Sequence, residues 1–253
     1  MNYEEAKNMA AGPLGDQMSK FPLRFCCALY FGRPPAHDRP EQISNGTATL
    51  LRDRGVPYAL TCFHVLEGYR ARKANYPDTF FSIGNVHLDP EKQLAGLDPA
   101  KDYVLIELSE AQAKDITSRD IPIGIDFIDV GYIAQSVKID QYVAFGGFPG
   151  DLREYLDFNE ISFGTYGSGA CRVTDTHTDY LTCQFEKNFW VVNFKERFPE
   201  NLRGMSGGPV CLIRHSEVGI ISYDFLGFIY NMHEQSDSLY ARLASALPIG
   251  WNK

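Results

Sequence analysis

The chain has 253 residues, of which 44% are hydrophobic, enough for a sizeable core in one domain or in two small ones. Its formal net charge is −8 and it has no long basic block, which argues against nucleic-acid binding. No stretch approaches about 18 consecutive apolar residues. The N-terminal segment also lacks the apolar centre of a signal peptide, so we expect neither a membrane span nor secretion.

Residues 1–21 are polar and are interrupted by Gly and Pro, which predicts a flexible leader. Short strand-like segments separated by turn residues come after it, and the 22 Gly, 14 Pro and 13% aromatic residues fit the same interpretation. The clearest segments are residues 47–53, 57–62, 79–84, 103–108, 141–148, 179–185, 189–194, 209–213 and 218–225. Together they predict an all-β barrel or sandwich.

Helical signals are few. Residues 63–73 are compatible with a short turn of helix. In residues 237–247, Leu239, Leu243 and Leu247 follow an Asp or Ser cap at helix-like spacing, which predicts a short C-terminal helix in the second half of this segment. We expect residues 118–140 to connect two halves of the molecule.

Six cysteines are present, and no two of them form a Cys-x-x-Cys pair. We interpret them as reduced, mostly buried thiols of a cytoplasmic protein, and the absence of paired ligand spacing argues against a zinc site. They are Cys26, Cys27, Cys62, Cys171, Cys183 and Cys211.

The segment Asn-Leu-Arg-Gly-Met-Ser-Gly-Gly-Pro, residues 201–209, surrounds Ser206 with glycines. Such a segment is compatible with an ordinary turn, because Gly adopts positive φ and Ser is a common turn residue. It is equally compatible with a nucleophile whose neighbouring backbone N–H groups face a developing oxyanion. The choice depends on whether the chain supplies a base and an acid.

His64 differs from the other five histidines because it ends an apolar strand-like segment, Pro-Tyr-Ala-Leu-Thr-Cys-Phe. The others have polar or turn-like neighbours, which favour structural roles. Asp102 opens the segment Asp-Tyr-Val-Leu-Ile-Glu-Leu, where a carboxylate at the mouth of an apolar strand needs partners. The order in the chain is therefore His64, Asp102 and Ser206.

The three ordered segments Leu-Thr-Cys-Phe-His-Val-Leu, Asp-Tyr-Val-Leu-Ile-Glu-Leu and Gly-Met-Ser-Gly-Gly-Pro-Val resemble the signature blocks of trypsin-like serine proteases of the chymotrypsin fold. The resemblance extends over residues 22–250. Among family members, bacterial and intracellular stand-alone proteases are the nearest in style.

The resemblance implies two antiparallel six-stranded β-barrels with the active site between them. Residues 22–125 would form the N-terminal barrel and residues 126–253 the C-terminal barrel with its helix. His64 would take the proton of Ser206 while Asp102 holds the ring, and the N–H groups of Gly204 and Ser206 would bind the oxyanion. No metal and no other cofactor is needed.

Three positions depart from the secreted members of the family. Val65 follows the histidine and Leu202 lies four residues before the serine, where those members carry cysteines. Met205 replaces an aspartate that pairs with a newly cleaved N-terminus in their zymogens. We therefore expect neither those disulfides nor activation by that kind of N-terminal trimming.

The resemblance also suggests a primary specificity pocket. Glu200, six residues before the serine, would lie at its base, with Ser222, Tyr223 and Asp224 on the strand that pairs with substrate and Tyr240 as a wall. Two carboxylates would favour a basic substrate side chain. In the alternative interpretation Glu200 lies in a surface turn and the substrate side chain is small or apolar. A third alternative is that Arg203 neutralises Glu200 or attracts an acidic residue.

These patterns predict a serine endopeptidase acting on protein or peptide substrates, with a regulatory protein in trans as a further partner. The alternative is a catalytically silent, protease-like module that binds a peptide or protein. An esterase with a nucleophile elbow would carry its histidine last in the chain, whereas here the histidine comes first.

Overall fold

The computed structural model of the chain describes Asn8 and residues 12–33, 43–118, 124–134, 136–157, 160–185, 199–216 and 220–247. The predicted strand at 189–194 lies outside these residues. The described part consists mainly of strands arranged in two large sheets.

The N-terminal sheet is open, and its strands follow the neighbour order β5-β4-β1-β2-β3-β7-β6 with antiparallel pairing. Its strands are β1 (Cys26–Gly32), β2 (Ile43–Asp53), β3 (Val56–Thr61), β4 (Phe80–Ile83), β5 (Val86–His87), β6 (Leu94–Asp98) and β7 (Tyr103–Glu107). A short β8 (Ile128–Asp129) adds to β2 in parallel. The β2–β3 hairpin turns at Arg54 and Gly55, both at positive φ, as in the two-residue turns that match strand twist.

The C-terminal sheet closes on itself as a six-stranded barrel in the order β12-β13-β16-β15-β14-β9. Its strands are β9 (Tyr142–Gly147), β12 (Tyr166–Thr176), β13 (Tyr180–Gln184), β14 (Pro209–His215), β15 (Ile221–His233) and β16 (Ser238–Leu243). A separate hairpin, β10 (Arg153–Asp157) with β11 (Glu160–Phe163), leaves the barrel after β9. Because the barrel is closed, each of its six strands is paired on both sides.

Each sheet encloses its own apolar core. Leu29, Leu50 and Ile106 are fully buried in the first core, and Phe145 and Leu212 in the second. The first core also takes in side chains from the C-terminal half, namely Phe225, Phe228, Ala244 and Leu247. The chain is therefore all-β with the two-barrel architecture of the chymotrypsin fold, in which the C-terminal barrel is closed and the N-terminal one is an open curved sheet.

Residues 128–133 run from one half to the other. Ile128 pairs with Leu51 of β2, and five residues later Ile133 bridges to Phe225 of β15. This short stretch belongs to the segment expected to connect the halves.

Within the described ranges, α1 (Pro13–Lys20), α2 (Phe63–Asn75) and α3 (Glu110–Thr117) are α-helices that lie outside the sheets. α1 contradicts the flexible leader for the residues it covers. It packs on β12, where Gly167 and Gly169 leave room for the backbone of Ser19 and for Met18. Among the described helices, none has the length and apolarity needed to cross a bilayer.

The predicted C-terminal helix is a second difference. Residues 238–243 form strand β16, and only Ala244–Ala246 make a single 3-10 turn. Leu239 and Ala241 are fully buried inside the barrel while Ser238 and Tyr240 are half-buried, so the period is two and not 3.6. Pairing with β13 and β15 decides the outcome, because it closes the barrel.

All six cysteines are described and buried, and none of them forms a disulfide.

Candidate active site

His64 and Asp102 form a two-point contact at the edge of the N-terminal sheet. Nδ1 of His64 lies 2.8 Å from Oδ2 of Asp102, and the backbone N–H of His64 donates to Oδ1 at 3.0 Å. His64 lies in the first turn of α2, where backbone N–H groups have no partner inside the helix and favour an anion. One carboxylate thus holds both the ring and the backbone of the histidine.

A tight turn between β6 and β7 presents Asp102. Asp98 accepts hydrogen bonds from the N–H groups of Ala100 and Lys101, at 2.9 and 3.2 Å, which shapes the turn. Asp102 itself has φ of 54°, a left-handed conformation that Asp tolerates better than most residues. From the other half of the molecule, buried Arg242 donates Nε–H to the carbonyl of Lys101 at 2.9 Å, which fixes the turn against β16.

Ser206 lies in the loop before β14, and strand β2 of the other half holds this loop. The N–H of Thr47 donates to the carbonyl of Ser206 at 2.9 Å, and Oγ1 of Thr49 donates to the carbonyl of Gly207 at 2.6 Å. Gly207 has φ of 90°, and a Cβ there would collide with the carbonyl of Thr47. Only glycine permits this close approach of loop and strand.

His64 and Ser206 line one cleft of about 300 Å³ between the two halves, together with Phe31, Asn45, Val65, Arg203 and Gly204. The side chain of His64 is 49% exposed and that of Asp102 22% exposed. Within the described residues the hydroxyl of Ser206 makes no hydrogen bond. Contacts between a nucleophile and its base often tighten only when substrate is bound.

The peptide group between Arg203 and Gly204 has a fixed orientation. Its carbonyl accepts the N–H of Gly150 at 2.7 Å, while the carbonyl of Gly204 accepts Oγ1–H of Thr47 at 2.8 Å. Because the peptide is trans, the N–H of Gly204 points away from Gly150. No acceptor for the N–H groups of Gly204 and Ser206 occurs among the described residues, so both are available to a ligand.

A hydrogen-bonded frame supports that peptide from behind. Asp151 accepts the backbone N–H of Asn201 at 2.9 Å and its side-chain N–H at 2.7 Å. Oδ1 of Asn201 in turn accepts the N–H of Arg203 at 3.1 Å. The loop containing residues 148–152 is therefore tied to the loop that carries Gly204.

The same frame extends to β2. Oγ1 of Thr47 accepts the N–H of Phe148 at 3.0 Å, and the amide of Asn45 donates to the carbonyl of Phe148 at 2.8 Å. Sequence reasoning missed Asn45, Thr47 and Asp151. Their signal was weak, since a buried threonine in a strand and an aspartate after Phe-Pro-Gly are both common.

A second cavity, of about 290 Å³, is also lined by Ser206. Its lining residues are Leu202, Arg203, Ser206, Met232, His233 and Gln235. The last three come from the end of β15 and the turn after it. We call this space the 203–235 cavity.

The residues predicted for the specificity pocket lie elsewhere. Ser222, Tyr223 and Asp224 form the beginning of β15 and pair with β14, where Asp224 contacts Arg214 at 2.9 Å and Tyr223 stacks on Phe21. Their assignment to the specificity pocket is therefore wrong. β15 has 13 residues, and the end that lies near Ser206 is the C-terminal end, opposite to these three residues.

Glu200 and Tyr240 also differ from the expected pocket. Glu200 is exposed at a bend and does not line the 203–235 cavity, in keeping with the alternative surface-turn interpretation. Tyr240 pairs with Asn231 across β15 and β16, and its ring centre lies 6.3 Å from that of Tyr230. It is not among the residues that line the cavity.

Cys62, His64 and Asp102 offer ligand atoms that all lie within 4.8 Å of one another, the spacing of a metal site. Burial, followed by the nearby charge of Asp102, raises the pKa of the Cys62 thiol well above its usual value. The thiol donates to the carbonyl of Ile229 at 3.3 Å, and Asp102 already engages Nδ1 of His64. This set therefore fits a hydrogen-bonded pair over a buried thiol better than a thiolate metal site.

No protein-family model and no curated protein sequence matches the chain. Among solved structures, it is similar to the active form of the Rv3671c protease from M. tuberculosis, with 12% identity, 92% of this chain and 83% of that chain covered, and a TM-score of 0.45. It is also similar to an atomic-resolution structure of HBP, with 12% identity, 89% and 88% coverage, and a TM-score of 0.42. At this identity the similarities concern the fold alone.

Proposed function

We propose that the chain is a serine endopeptidase that hydrolyses peptide bonds in protein or peptide substrates. Ser206 attacks the carbonyl carbon while His64 takes the hydroxyl proton, and His64 then donates it to the leaving amine. Asp102 orients the ring and stabilises the imidazolium. The N–H groups of Gly204 and Ser206 bind the oxyanion.

One observation carries the proposal: the paired His64–Asp102 faces the same cleft as Ser206, beside two backbone N–H groups without an acceptor in the described chain. A second serine–histidine contact makes a useful comparison. Oγ of Ser82 lies 2.6 Å from Nδ1 of His87, but Ser82 is fully buried. Ser82 therefore has the base contact but not the exposure that a nucleophile requires.

A fluorophosphonate probe tests the proposal. The Ser206 oxygen would form a bond to phosphorus, fluoride would leave, and His64 would take the proton. We expect labelling of the wild-type protein, loss of labelling in Ser206→Ala, and retention in the control Ser82→Ala, with folding checked by circular dichroism. Labelling that persists in Ser206→Ala, or that is absent from the folded wild-type protein, would contradict the proposal.

A second candidate follows from the Ser206 hydroxyl, which has no hydrogen bond among the described residues. In this candidate the chain binds a peptide or protein partner without hydrolysing it, or becomes active only when a regulatory protein binds in trans. Absent labelling together with retained peptide binding would favour this candidate.

The six cysteines are buried and none of them forms a disulfide, which supports a reducing compartment, and we place the protein in the cytoplasm on that ground as part of the proposal.

A further inference from the structure

Arg203 is the residue that the two cavities beside Ser206 share. Its backbone is fixed on both sides, because its N–H donates to Asn201 and its carbonyl accepts the N–H of Gly150. The side chain therefore starts from a defined point at the mouth of the cleft. Arg203 thus lines the space on either side of it next to Ser206, which a substrate side chain beside the scissile bond would occupy.

The charge of Arg203 is uncompensated in the part of the chain that the structure describes. There, no carboxylate forms an ion pair with it. Other arginines do have such partners: Arg33, Arg52, Arg54, Arg70, Arg172 and Arg214 each lie within 4.0 Å of an aspartate or glutamate. A cation without a carboxylate partner in the described residues is thus available beside Ser206, on a protein whose formal net charge is −8.

The other polar groups of the 203–235 cavity suit an anion as well. Ser236 Oγ lies 2.9 Å from Nδ1 of His233. In the tautomer in which this hydroxyl donates to Nδ1, Nε2 carries the proton and can donate it to an anion. Gln235 adds a side-chain amide, and Leu202 and Met232 supply apolar walls for a short aliphatic stem. None of the described residues that line this cavity is acidic.

We propose that the 203–235 cavity binds a carboxylate side chain, so that the chain cleaves after glutamate or aspartate. Arginine is suited to this role because its planar guanidinium can bind a carboxylate through two hydrogen bonds. The same charge disfavours lysine or arginine at this position, the reverse of what Glu200 suggested. The proposal concerns the substrate class of the same site, and its hydrolytic part rests on the proposed function.

Peptide pairs that differ only in the residue before the scissile bond test the proposal. We expect kcat/KM for the glutamate peptide to exceed that for the glutamine peptide by about tenfold or more, since the pair differs mainly in charge. This ratio should fall towards one in Arg203→Gln and decrease in His233→Gln. The matched control Arg214→Gln removes an arginine at the far end of β14 and should leave the ratio unchanged.

A binding experiment separates this proposal from the proposed function. Fluorescence anisotropy with the Ser206→Ala protein compares the same two peptides without turnover. A tenfold preference for the glutamate peptide that disappears in Ser206→Ala/Arg203→Gln supports carboxylate binding by the 203–235 cavity, even if the wild-type protein hydrolyses nothing. Hydrolysis that depends on Ser206 but proceeds equally with glutamate, glutamine and lysine peptides would overturn the proposed carboxylate preference and would still support the proposed endopeptidase function. Equal binding of both peptides, with no hydrolysis, would overturn both.

Discussion

Asp102 contacts His64 through both carboxylate oxygens, one at the ring and one at the backbone N–H. Each oxygen acts as an acceptor, so the residue requires two acceptors and no donor. The ring is thereby held with its Nδ1–H towards Asp102 and Nε2 towards the cleft. A carboxamide of the same size cannot satisfy both contacts, because one of its two polar atoms is a donor.

Asp102→Asn is therefore expected to lower kcat by about 10⁴-fold with little change in KM, because the ring is held in the wrong tautomer while the cleft keeps its shape. Steady-state hydrolysis of the best peptide measures this. Asp140→Asn, which alters an exposed aspartate paired with Arg172, is the control. Near-wild-type kcat in Asp102→Asn would rule out Asp102 as the orienting acid.

At the scale of elements, the loop with residues 148–152 acts as a support for the loop that carries Gly204. Asp151 holds Asn201, Asn201 holds Arg203, and Gly150 holds the carbonyl of Arg203. In the secreted proteases that the sequence resembles, an aspartate beside the serine pairs with the N-terminus that is newly cleaved from the zymogen. Here Met205 occupies that position and is fully buried in the apolar core.

We expect Asp151→Ala to lower kcat by about 10- to 100-fold, because small displacements of a group that binds the transition state are costly. Asp151→Asn keeps one acceptor oxygen and should lie between Ala and wild type. The rate of fluorophosphonate labelling should follow kcat. Asp175→Ala, at an exposed aspartate beside His177, is the matched control. An unchanged labelling rate in Asp151→Ala would contradict the supporting role.

The limits of sequence reasoning are clearest in two elements, β16 and β15. The apolar segments and their turns predict most strands, since burial and alternation are local properties. The spacing of Leu239, Leu243 and Leu247 fits both a helix and a strand, so the helix predicted for the second half of residues 237–247 overlaps β16, and only barrel closure distinguishes the two. The pocket was assigned to the wrong end of β15 because a motif does not state how long the strand is that carries it.

Long-range polar contacts were the least predictable feature of the site. Thr47 and Gly204 are 157 positions apart in the chain, yet Oγ1 of one donates to the carbonyl of the other. Thr47 also lies in an otherwise ordinary strand sequence, Gly-Thr-Ala-Thr-Leu-Leu. By contrast, His64, Asp102 and Ser206 stood out because each has an unusual local setting and because their order matched a known pattern.

At the scale of the whole molecule, stability comes from two apolar cores and the contact between them, without disulfides in the described residues. Burial raises the pKa of Cys211 to about 12, and it also raises the pKa of Cys26 and Cys62. Such thiols remain protonated at neutral pH and are poor nucleophiles in thiol exchange.

The Tm and the hydrolytic activity should accordingly be the same with and without a thiol reductant. Thermal unfolding monitored by circular dichroism, with a peptide assay on the same samples, provides the measurement. A substantial fall in Tm under reduction would show that some cysteines are bridged in solution.

The threonines of β2 have a consequence for how this protein becomes active. Thr47 and Thr49 hold the carbonyl groups of Gly204, Ser206 and Gly207, so the N-terminal half anchors a loop that belongs to the C-terminal half. A newly synthesised copy whose halves have not yet met lacks these anchors, even if each half has collapsed separately. Under the proposed function, such a copy is inactive and cannot hydrolyse other proteins while it is being synthesised. Hydrolytic activity then appears only when the two halves dock, and it is lost as soon as they separate.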